Sequence, residues 1–251
     1  MIRVLYAGDT ETVVLLVELG AVAVPSVERF FDGRDHLKKA LLKDPEIEVE
    51  LMSNKETFER FPQTVEQLRE YDVVVLSDVP YDSLSLRPGD EIYKISPNRL
   101  TALKRFVEEG GGLCYCGGWL SYQGHFGQGR WYGTSISEIF PVEILPIPDD
   151  RIENSDGARP EIIDVNHPIM EGLDWTTCPA FLGYNRVGKV KDGAKLLGTI
   201  NGDPFLIVWD VRKGRVVALT SDPAPHWGAW INWDHYSDFW IRVIKWVGKE
   251  L

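Results

Sequence analysis

The segment Gly110–His125 contains the residues best suited to nucleophilic chemistry. In it, a short apolar strand over Leu113–Cys116 runs directly into Gly117 and Gly118. A strand that ends in a tight glycine turn can expose a nucleophile at the top of an α/β sheet, because glycine tolerates strained dihedral angles and close backbone approach. Cys116 is therefore a candidate thiol nucleophile, and the N–H groups of Gly117–Trp119 are candidate donors to an oxyanion. The competing interpretation is that Cys116 is a small buried strand residue and that the glycines only let the chain turn.

A second candidate group, His226, lies on the loop after a strand predicted over Arg215–Thr220. An imidazole there can be the base for a thiol or hydroxyl, a hydrogen-bond donor to a ligand, or a structural loop residue. Asp222 and Asp234 are nearby carboxylates, and either one could orient it. The sequence contains no H-x-x-x-H motif and no Cys/His spacing typical of metal sites, so we predict neither a metal nor a cofactor.

Tryptophan is abundant, with nine in 251 residues and five of these in the last 25. Trp240 fits the apolar face of a closing helix, whereas Trp227 lies in an irregular stretch beside carboxylates and amides. Such rings suit a flat polar ligand such as a sugar, a subunit interface, or simple packing. The aromatic surplus predicts a homo-oligomer.

The elements that would position these groups alternate between strand and helix over the first 117 residues. In chain order they are predicted at Ile2–Ala7 (strand), Asp35–Lys43 (helix), Ile47–Met52 (strand), Phe58–Tyr71 (helix), Val73–Asp78 (strand), Pro97–Glu109 (helix) and Leu113–Cys116 (strand). This order predicts an α/β fold with a mostly parallel sheet covered on both faces, because parallel neighbours need crossover helices. Ligands on such sheets bind at the carboxyl ends of the strands, here Gly8–Thr10, Ser77–Tyr81 and Gly117–Gln123.

The second half of the chain predicts additional strands that pair in an antiparallel manner. The strand-like segments are Val142–Leu145, Glu161–Val165, Leu196–Ile200, Phe205–Trp209 and Arg215–Thr220. Asp210–Gly214 predicts a hairpin turn, and Ser237–Lys249 predicts a closing helix. No linker-like composition separates the halves, so we expect a single domain over residues 1–251.

Composition limits the classes of partner and compartment. The formal charge of −11 repels phosphate backbones and anionic lipid headgroups, which argues against nucleic acid and membrane partners. Three cysteines form no disulfide framework, and Cys114 and Cys116 are spaced too far apart along a strand to pair easily. The N-terminus does not resemble a signal peptide, and the apolar stretch Thr12–Pro25 is interrupted by Glu18 and too short to cross a bilayer. We therefore predict a cytoplasmic protein.

Several motifs together resemble those of one known superfamily: Gly110–Ser121, Gly133-Thr134, Asn166–Ile169 with Glu171–Leu173, and Ser221–Trp227. With them the sequence resembles the class I glutamine amidotransferase-like superfamily, and more closely a bacterial group described as putative glutamine amidotransferases. The match spans most of the chain. The resemblance implies a flavodoxin-like three-layer sandwich.

The resemblance also implies a catalytic pattern that this chain matches only in part. Enzymatic members use a cysteine in a Gly-x-Cys-x-Gly turn and a downstream His-x-Glu. Cys116 and His226 match the thiol and the imidazole, but Cys114 replaces the first glycine and Gly228 stands where the glutamate should be. Alignment by the triple glycine, as in the trehalose-utilisation branch, moves the turn position to Gly117 and leaves no nucleophile.

Three hypotheses follow. The first is a thiol-dependent amide hydrolase or amidotransferase using Cys116 and His226, with little or no glutaminase turnover because the orienting glutamate is missing. The second is a non-catalytic or differently catalytic domain that binds an unidentified small molecule, a carbohydrate or another neutral or anionic polar metabolite. The third is an assembly protein whose tryptophan-rich end forms an interface. Residues expected to bind the ligand are Asp9, Gly117, Gly118, Trp119, Tyr122, Asp222, His226 and Trp227.

Overall fold

The computed structural model of the chain describes residues 1–19, 22–86 and 98–251, and within residues 11–29 it describes the backbone alone. The strands are β1 (Ile2–Gly8), β2 (Thr10–Leu19), β3 (Val22–Asp32), β4 (Ile47–Met52), β5 (Val73–Ser77), β6 (Gly112–Cys116), β7 (Arg151–Ala158), β8 (Pro160–Ile162), β9 (Phe181–Asn185), β10 (Lys195–Ile200), β11 (Asp203–Val211) and β12 (Gly214–Leu219). The helices are α1 (Arg34–Leu41), α2 (Asn54–Arg60), α3 (Val65–Leu68), α4 (Tyr81–Ser85), α5 (Arg99–Glu109) and α6 (Tyr236–Val247).

One eight-stranded sheet, in the order β4-β1-β5-β6-β12-β11-β10-β8, organises the molecule. The five strands from β4 to β12 run parallel, and β11, β10 and β8 continue the sheet in antiparallel pairing. This mixed sheet confirms the predicted α/β fold, mostly parallel with antiparallel strands added by the second half of the chain. Two small antiparallel sheets, β2-β3 and β7-β9, lie outside it.

The two faces of the sheet are both apolar and each is covered by helices. Alternate residues of β1 show the division: Val4 and Tyr6 pack with α1 and α6, whereas Leu5 and Ala7 pack with α3 and α5. Every residue of β5 and β6 is buried, as expected for strands with helices on both sides. The helix–sheet–helix sandwich predicted from the sequence is therefore present.

The predicted helices of the first half are present, with one of them divided in two and with the short helix α4 added. The expected helix Phe58–Tyr71 is two helices, α2 and α3, because the chain is extended at Phe61, just before Pro62. Helix α2 begins earlier than predicted because Ser53 and Glu56 form a capping box. Helix α5 begins after the Asn98 cap, and the predicted starting residue, Pro97, lies outside the described residues.

The second half confirms most predicted strands and adds others. Strands β8, β10, β11 and β12 overlap predicted segments, the turn at Asp210–Gly214 joins β11 to β12, and α6 matches the predicted closing helix. The strand expected over Val142–Leu145 is absent apart from a single bridge between Val142 and Val190. Four features were not predicted: the hairpin β2-β3 and helix α4 in the first half, and strands β7 and β9 in the second. Among the described residues, no helix is long and apolar enough to cross a membrane.

Candidate functional site

The register of four parallel strands aligns their carboxyl ends. Gly8 pairs with Ser77, Ser77 pairs with Cys116, and Cys116 pairs with Leu219. The residues that follow each strand therefore emerge at one edge of the sheet, as expected for a parallel fold. The loops that carry Asp9, Asp78, Gly118 and His226 meet there.

Asp9 lies directly after β1 and is completely buried. The hydroxyl of Tyr6 donates a hydrogen bond to its Oδ2 atom, and the Ser77 hydroxyl donates to Oδ1 at 3.0 Å. Burial, and then the nearby charge of Asp222, raise the pKa of Asp9 to about 7. The carboxyl group of Asp9 is therefore poised to exchange a proton near neutral pH.

Asp78 occupies the equivalent position after β5, although the predicted site did not include it. Its Oδ1 atom accepts a hydrogen bond from the N–H of Leu120 at 2.5 Å, and its own N–H donates to the hydroxyl of Ser121 at 3.1 Å. A Cβ atom at Gly118 would lie 2.4 Å from Oδ1, so the absence of a side chain there makes room for the carboxylate. Asp78 could have been found by the signal that identified Asp9, an acidic residue directly after a buried strand.

Asp9 and Asp78 also share an unusual backbone conformation. Their φ angles are 48° and 54°, in the left-handed region that most residues with a side chain avoid. Aspartate tolerates this conformation better than most residues, but holding it at two adjacent strand ends still has an energetic cost. Such backbone conformations cluster at functional sites, which is consistent with a functional edge here.

His226 reaches the same edge from the loop after β12. Its Nδ1 atom lies 3.2 Å from Oδ2 of Asp222, a carboxylate that is almost completely buried. Burial alone lowers the pKa of His226, but the hydrogen bond and charge of Asp222 outweigh it and raise that pKa to about 9. Of the two candidate orienting carboxylates, the structure places Asp222 beside the imidazole, whereas Asp234 is exposed.

The ring of His226 also lies close to the two aspartates that follow β1 and β5. Nε2 is buried and has no hydrogen-bond partner in the described part of the chain. A ligand atom of His226, one of Asp9 and one of Asp78 lie within 4.8 Å of one another. The ring of Phe31, at the end of β3, contacts the imidazole with a centroid separation of 4.3 Å, so the base of the hairpin covers one side of this histidine.

Cys116 ends β6 beneath this edge and has no exposed surface. Its Sγ atom lies 3.8 Å from that of Cys114, on the sheet face that also carries Tyr6, and all three cysteines are free thiols. Burial raises the pKa of the Cys116 thiol well above its ordinary value, and Cys114, Asp9 and Asp222 act in the same direction. The thiol is therefore protonated at neutral pH, whereas the thiolate is the nucleophilic form.

The glycine turn after Cys116 is held by hydrogen bonds within the protein. The N–H of Gly117 donates to the carbonyl oxygens of Leu219 and Ser221, and the N–H of Gly118 donates to Oδ1 of Asn185 at 2.8 Å. Two of the three N–H groups expected to donate to an oxyanion, those of Gly117 and Gly118, therefore already have acceptors. A Cβ atom at Gly117 would lie 2.1 Å from the carbonyl oxygen of Thr220, which explains why glycine is needed.

Asn185 and Asp150 hold this turn in place through hydrogen bonds. Sequence analysis identified neither residue. The side chain of Asn185 also donates to the carbonyl of Gly118 at 3.1 Å and to Oδ1 of Asp150 at 2.8 Å. Asp150 in turn accepts hydrogen bonds from the N–H groups of Gln123 and Gly124. Asn185 ends β9, a strand that was not predicted, so no local pattern marked it.

The predicted aromatic ligand residues differ in their exposure. Trp119 is 41% exposed and stacks on the ring of His125 at 5.0 Å, with the guanidinium of Arg151 4.7 Å from its own ring. Tyr122 is completely buried against Tyr115, on the opposite face of the sheet from Cys116. Trp227 is also buried, with its indole packed against Gly183. Trp119 is thus the one of the three that presents substantial surface to solvent.

The tryptophans near the end of the chain serve the core. Trp230 packs against Tyr236 and Trp240, and Trp233 packs against Trp175 at 4.6 Å. Trp227, Trp230, Trp233, Trp240 and Trp246 are all buried within the chain itself. These five tryptophans, whose abundance led us to predict a homo-oligomer, therefore pack within the chain. The homo-oligomer remains a prediction.

The mixed sheet, the helices on both of its faces and the polar residues at the carboxyl ends of its parallel strands define an α/β protein of the flavodoxin-like type. Residues 3–249 match the family described as "Putative glutamine amidotransferase". The chain belongs to this family, which agrees with the resemblance noted in its sequence.

Two solved structures from Salmonella typhimurium are similar over nearly the whole chain. The cytoplasmic protein STM3548 is 30% identical, with a TM-score of 0.88 and coverage of 97% of this chain and 98% of its own. The cytoplasmic protein STM1381, from strain LT2, is 32% identical, with a TM-score of 0.88 and coverage of 98% and 99%. No curated protein matches the chain.

A ThuA-like protein from Parabacteroides merdae shows a more distant likeness. It is 12% identical, with a TM-score of 0.55 and coverage of 99% of this chain and 90% of its own. At this level of identity the likeness concerns the fold alone.

Proposed function

We propose that the edge formed by Asp9, Asp78 and His226 binds a small polar molecule that carries hydroxyl groups, and that its chemistry does not use the Cys116 thiol as a nucleophile. The observation that carries this proposal is His226, whose Nε2 atom is buried without a described hydrogen-bond partner and whose ring lies beside two buried carboxyl groups. Polar groups are rarely buried without partners unless a ligand or solvent completes them. Ionised carboxylates only accept hydrogen bonds and a protonated imidazole only donates them, so the molecule bound there must supply both donors and acceptors, as hydroxyl groups do.

Three features of the glycine turn support a chemistry other than glutamine hydrolysis. The Cys116 thiol is buried and protonated at neutral pH, and the N–H groups of Gly117 and Gly118 are engaged within the protein. A tetrahedral intermediate needs free donors at the position of its oxyanion. We therefore expect weak or no glutaminase activity, and the family description fits the ancestry of the fold better than it fits a reaction of this chain.

The exposure of Trp119 supports the proposal, because it suits a residue at the rim of a binding site. Its partly exposed indole lies on the loop that follows Gly118, and an aromatic face next to carboxylates suits the apolar face of a sugar or polyol. Tyr122 and Trp227 are buried, so we expect them to influence binding only indirectly, by stabilising the loops on which they lie. We assign direct contact to Trp119, Asp9, Asp78 and His226, and an orienting role to Asp222.

We further propose that the protein acts in the cytoplasm as a single domain over residues 1–251. Its three free cysteines suit a reducing compartment, and the two similar Salmonella proteins are described as cytoplasmic. The match of one family model to residues 3–249 supports the single domain.

A thermal-shift screen of sugars, polyols, amino acids and amides tests the binding proposal, followed by calorimetry with any compound that stabilises the protein. Asp78→Asn and His226→Gln should each weaken binding at least tenfold, whereas Asp234→Asn, an exposed carboxylate nearby, should not change it. Full affinity in both site variants would disprove the assignment. Rapid ammonia release from glutamine that is abolished by Cys116→Ser would instead establish the thiol mechanism.

A further inference from the structure

The three polar side chains at the carboxyl edge carry atoms of the kinds that bind divalent metal ions. One carboxylate oxygen of Asp9, one of Asp78 and one ring nitrogen of His226 all lie within 4.8 Å of one another. Both carboxyl groups are buried, so little bulk water competes with them for a metal ion. In the described part of the chain, this is the one group of three such side chains whose ligand atoms are so close.

We propose that Asp9, Asp78 and His226 form a binding site for one divalent transition-metal ion, with Zn²⁺ and Mn²⁺ as the best-matched ions. This inference rests on the proposed function, because it concerns the same site. It adds a metal ion as a ligand of that site. One imidazole nitrogen with two carboxylate oxygens suits ions that accept both donor types, whereas Mg²⁺ prefers oxygen and retains water. Three protein ligands leave a coordination position for a water molecule or a hydroxyl of the small molecule.

The hydrogen bond between His226 and Asp222 is an independent observation in favour of this site. Metal-binding histidines usually donate their second ring N–H to a carboxylate or carbonyl, which fixes the tautomer and the orientation of the ring. Asp222 holds Nδ1 of His226 in this manner at 3.2 Å. The second ring nitrogen, Nε2, is buried and lacks a partner among the described residues, so it is the nitrogen available to bind an ion at the cluster with Asp9 and Asp78.

The two carboxylates are oriented by outer partners as well. Tyr6 and Ser77 donate hydrogen bonds to the two oxygens of Asp9, and the N–H of Leu120 donates to Oδ1 of Asp78. A carboxylate oxygen has two lone pairs, so each can accept such a bond and still bind an ion. Each proposed ligand is thus held in place by a neighbour, as expected for a site built to bind a metal.

A second histidine–carboxylate pair provides a matched contrast. Nδ1 of His125 lies 4.0 Å from Oδ2 of Asp149, but Arg151 also donates to that oxygen at 2.9 Å. A guanidinium in contact with the carboxylate opposes the approach of a metal cation. His125→Gln is therefore a suitable control, since it removes a histidine beside a carboxylate without altering the proposed ligands.

The test uses the full chain, stripped with a chelator and titrated calorimetrically with Zn²⁺, Mn²⁺ or Mg²⁺ alone. We expect one equivalent of Zn²⁺ or Mn²⁺ to bind and Mg²⁺ to bind at least tenfold more weakly. His226→Gln and Asp78→Asn should weaken binding by tenfold or more, and Asp222→Asn by about 10- to 100-fold through its orienting role. His125→Gln should bind as the wild type does. Absence of one-equivalent binding, or unchanged binding in His226→Gln, would overturn the proposal.

A measurement on the wild type covers the case in which the variants do not fold. In nitrogen-15 spectra of the five histidines, Zn²⁺ should shift the nitrogen resonances of one imidazole, that of His226. Shifts at other histidines instead, or at none, would disprove the site. No organic ligand is present in these experiments, and binding of sugars and polyols to stripped protein is measured separately. Failure of metal binding is therefore distinguishable from failure of the proposed function.

Discussion

Asp222 holds the imidazole of His226 from a position four residues before it in the chain, with 3.2 Å between Oδ2 and Nδ1. In the thiol-dependent members that the sequence resembles, the orienting carboxylate follows the histidine by two residues. Here that position is Gly228, whose φ angle is 133°. In this chain the carboxylate that orients the histidine therefore precedes it in the sequence instead of following it.

The first prediction concerns the pH dependence of stability in metal-free protein. The pKa of His226 is raised from 6.5 to about 9 on folding. Its protonated form stabilises the fold fully below pH 6.5, and this contribution is lost as the pH rises through 9. By itself this amounts to about 3 kcal/mol. The raised pKa of Asp9, from 3.8 to about 7, acts in the same direction over a lower range.

Urea unfolding with a chelator present, at pH 6 and pH 9, measures this effect. The wild type should lose free energy of unfolding between these values, and Asp222→Asn should lose much less because its histidine is no longer held as a cation. Asp234→Asn serves as the control. A wild type that is equally stable at both pH values would show that the Asp222–His226 pair does not act as described.

The second prediction concerns the thiols. All three cysteines are buried, and burial raises the pKa of Cys116 well above its ordinary value and that of Cys178 to about 12. Iodoacetamide at pH 8 should therefore label less than one equivalent per chain in the native state and three equivalents in urea, counted by mass spectrometry. Rapid native labelling of Cys116 would reveal an accessible thiolate and favour the thiol hydrolase.

The third prediction is that the missing glutamate cannot be restored by substitution. At Gly228 a Cβ atom would lie 2.9 Å from the carbonyl oxygen of Ala180, and the positive φ angle strains any side chain. Gly228→Glu should lower the free energy of unfolding by about 2–4 kcal/mol and produce no glutaminase activity.

Two alanine variants compare the position of Gly228 with an open position. Gly172 also has a positive φ angle, 72°, but a Cβ atom there would meet nothing within 4 Å. Gly228→Ala should therefore be more destabilising than Gly172→Ala, because it combines the contact with Ala180 with backbone angles (φ 133°, ψ −179°) that are open essentially only to glycine. Equal losses would mean that the loop moves away freely.

The fourth prediction concerns Asn185, which joins the Gly118 turn to Asp150. Asn185→Ala removes the partners of buried groups on both, and should cost about 2–4 kcal/mol in free energy of unfolding. It should also weaken binding at the site, because Gly118 lies against Asp78. Asn232→Ala, at an exposed position, is the matched control and should change stability by less than about 0.5 kcal/mol. A loss equally small in Asn185→Ala would contradict the supporting role.

The parts of the fold that could be predicted are those with a strong local pattern. Strand β5 is a continuous β-branched run, and α6 carries apolar residues at helical spacing, so burial alone predicts both. Strand β7 has the polar sequence RIENSDGA and owes its conformation to pairing with β9, which no local pattern records. The hairpin β2-β3 is more apolar, and within the described residues its two strands pair with each other and not with the main sheet, so the pattern of the main sheet did not predict it.

The candidate site shows the same limit. Asp9 and His226 were predicted because each follows an apolar strand, and topology then brings them to one edge. Asp78 has the same position after β5, and the same rule predicts it at this edge. The role of Asn185 depends on a contact across 67 residues of sequence, and the burial of Tyr122 depends on which face of the sheet its loop crosses.

The alignment of Gly8, Ser77, Cys116 and Leu219 has a consequence for how relatives of this protein can diverge. Asp9 and Asp78 are each one residue beyond a strand, so an inserted or deleted residue between strand and carboxylate would remove that group from the cluster. We therefore expect length variation among relatives only further along each loop, for example in the segment that forms β2 and β3. Within the family, ligand preference is therefore expected to change by substitution at these few fixed positions and by remodelling of distal loops, while the spacing between strand and carboxylate stays constant.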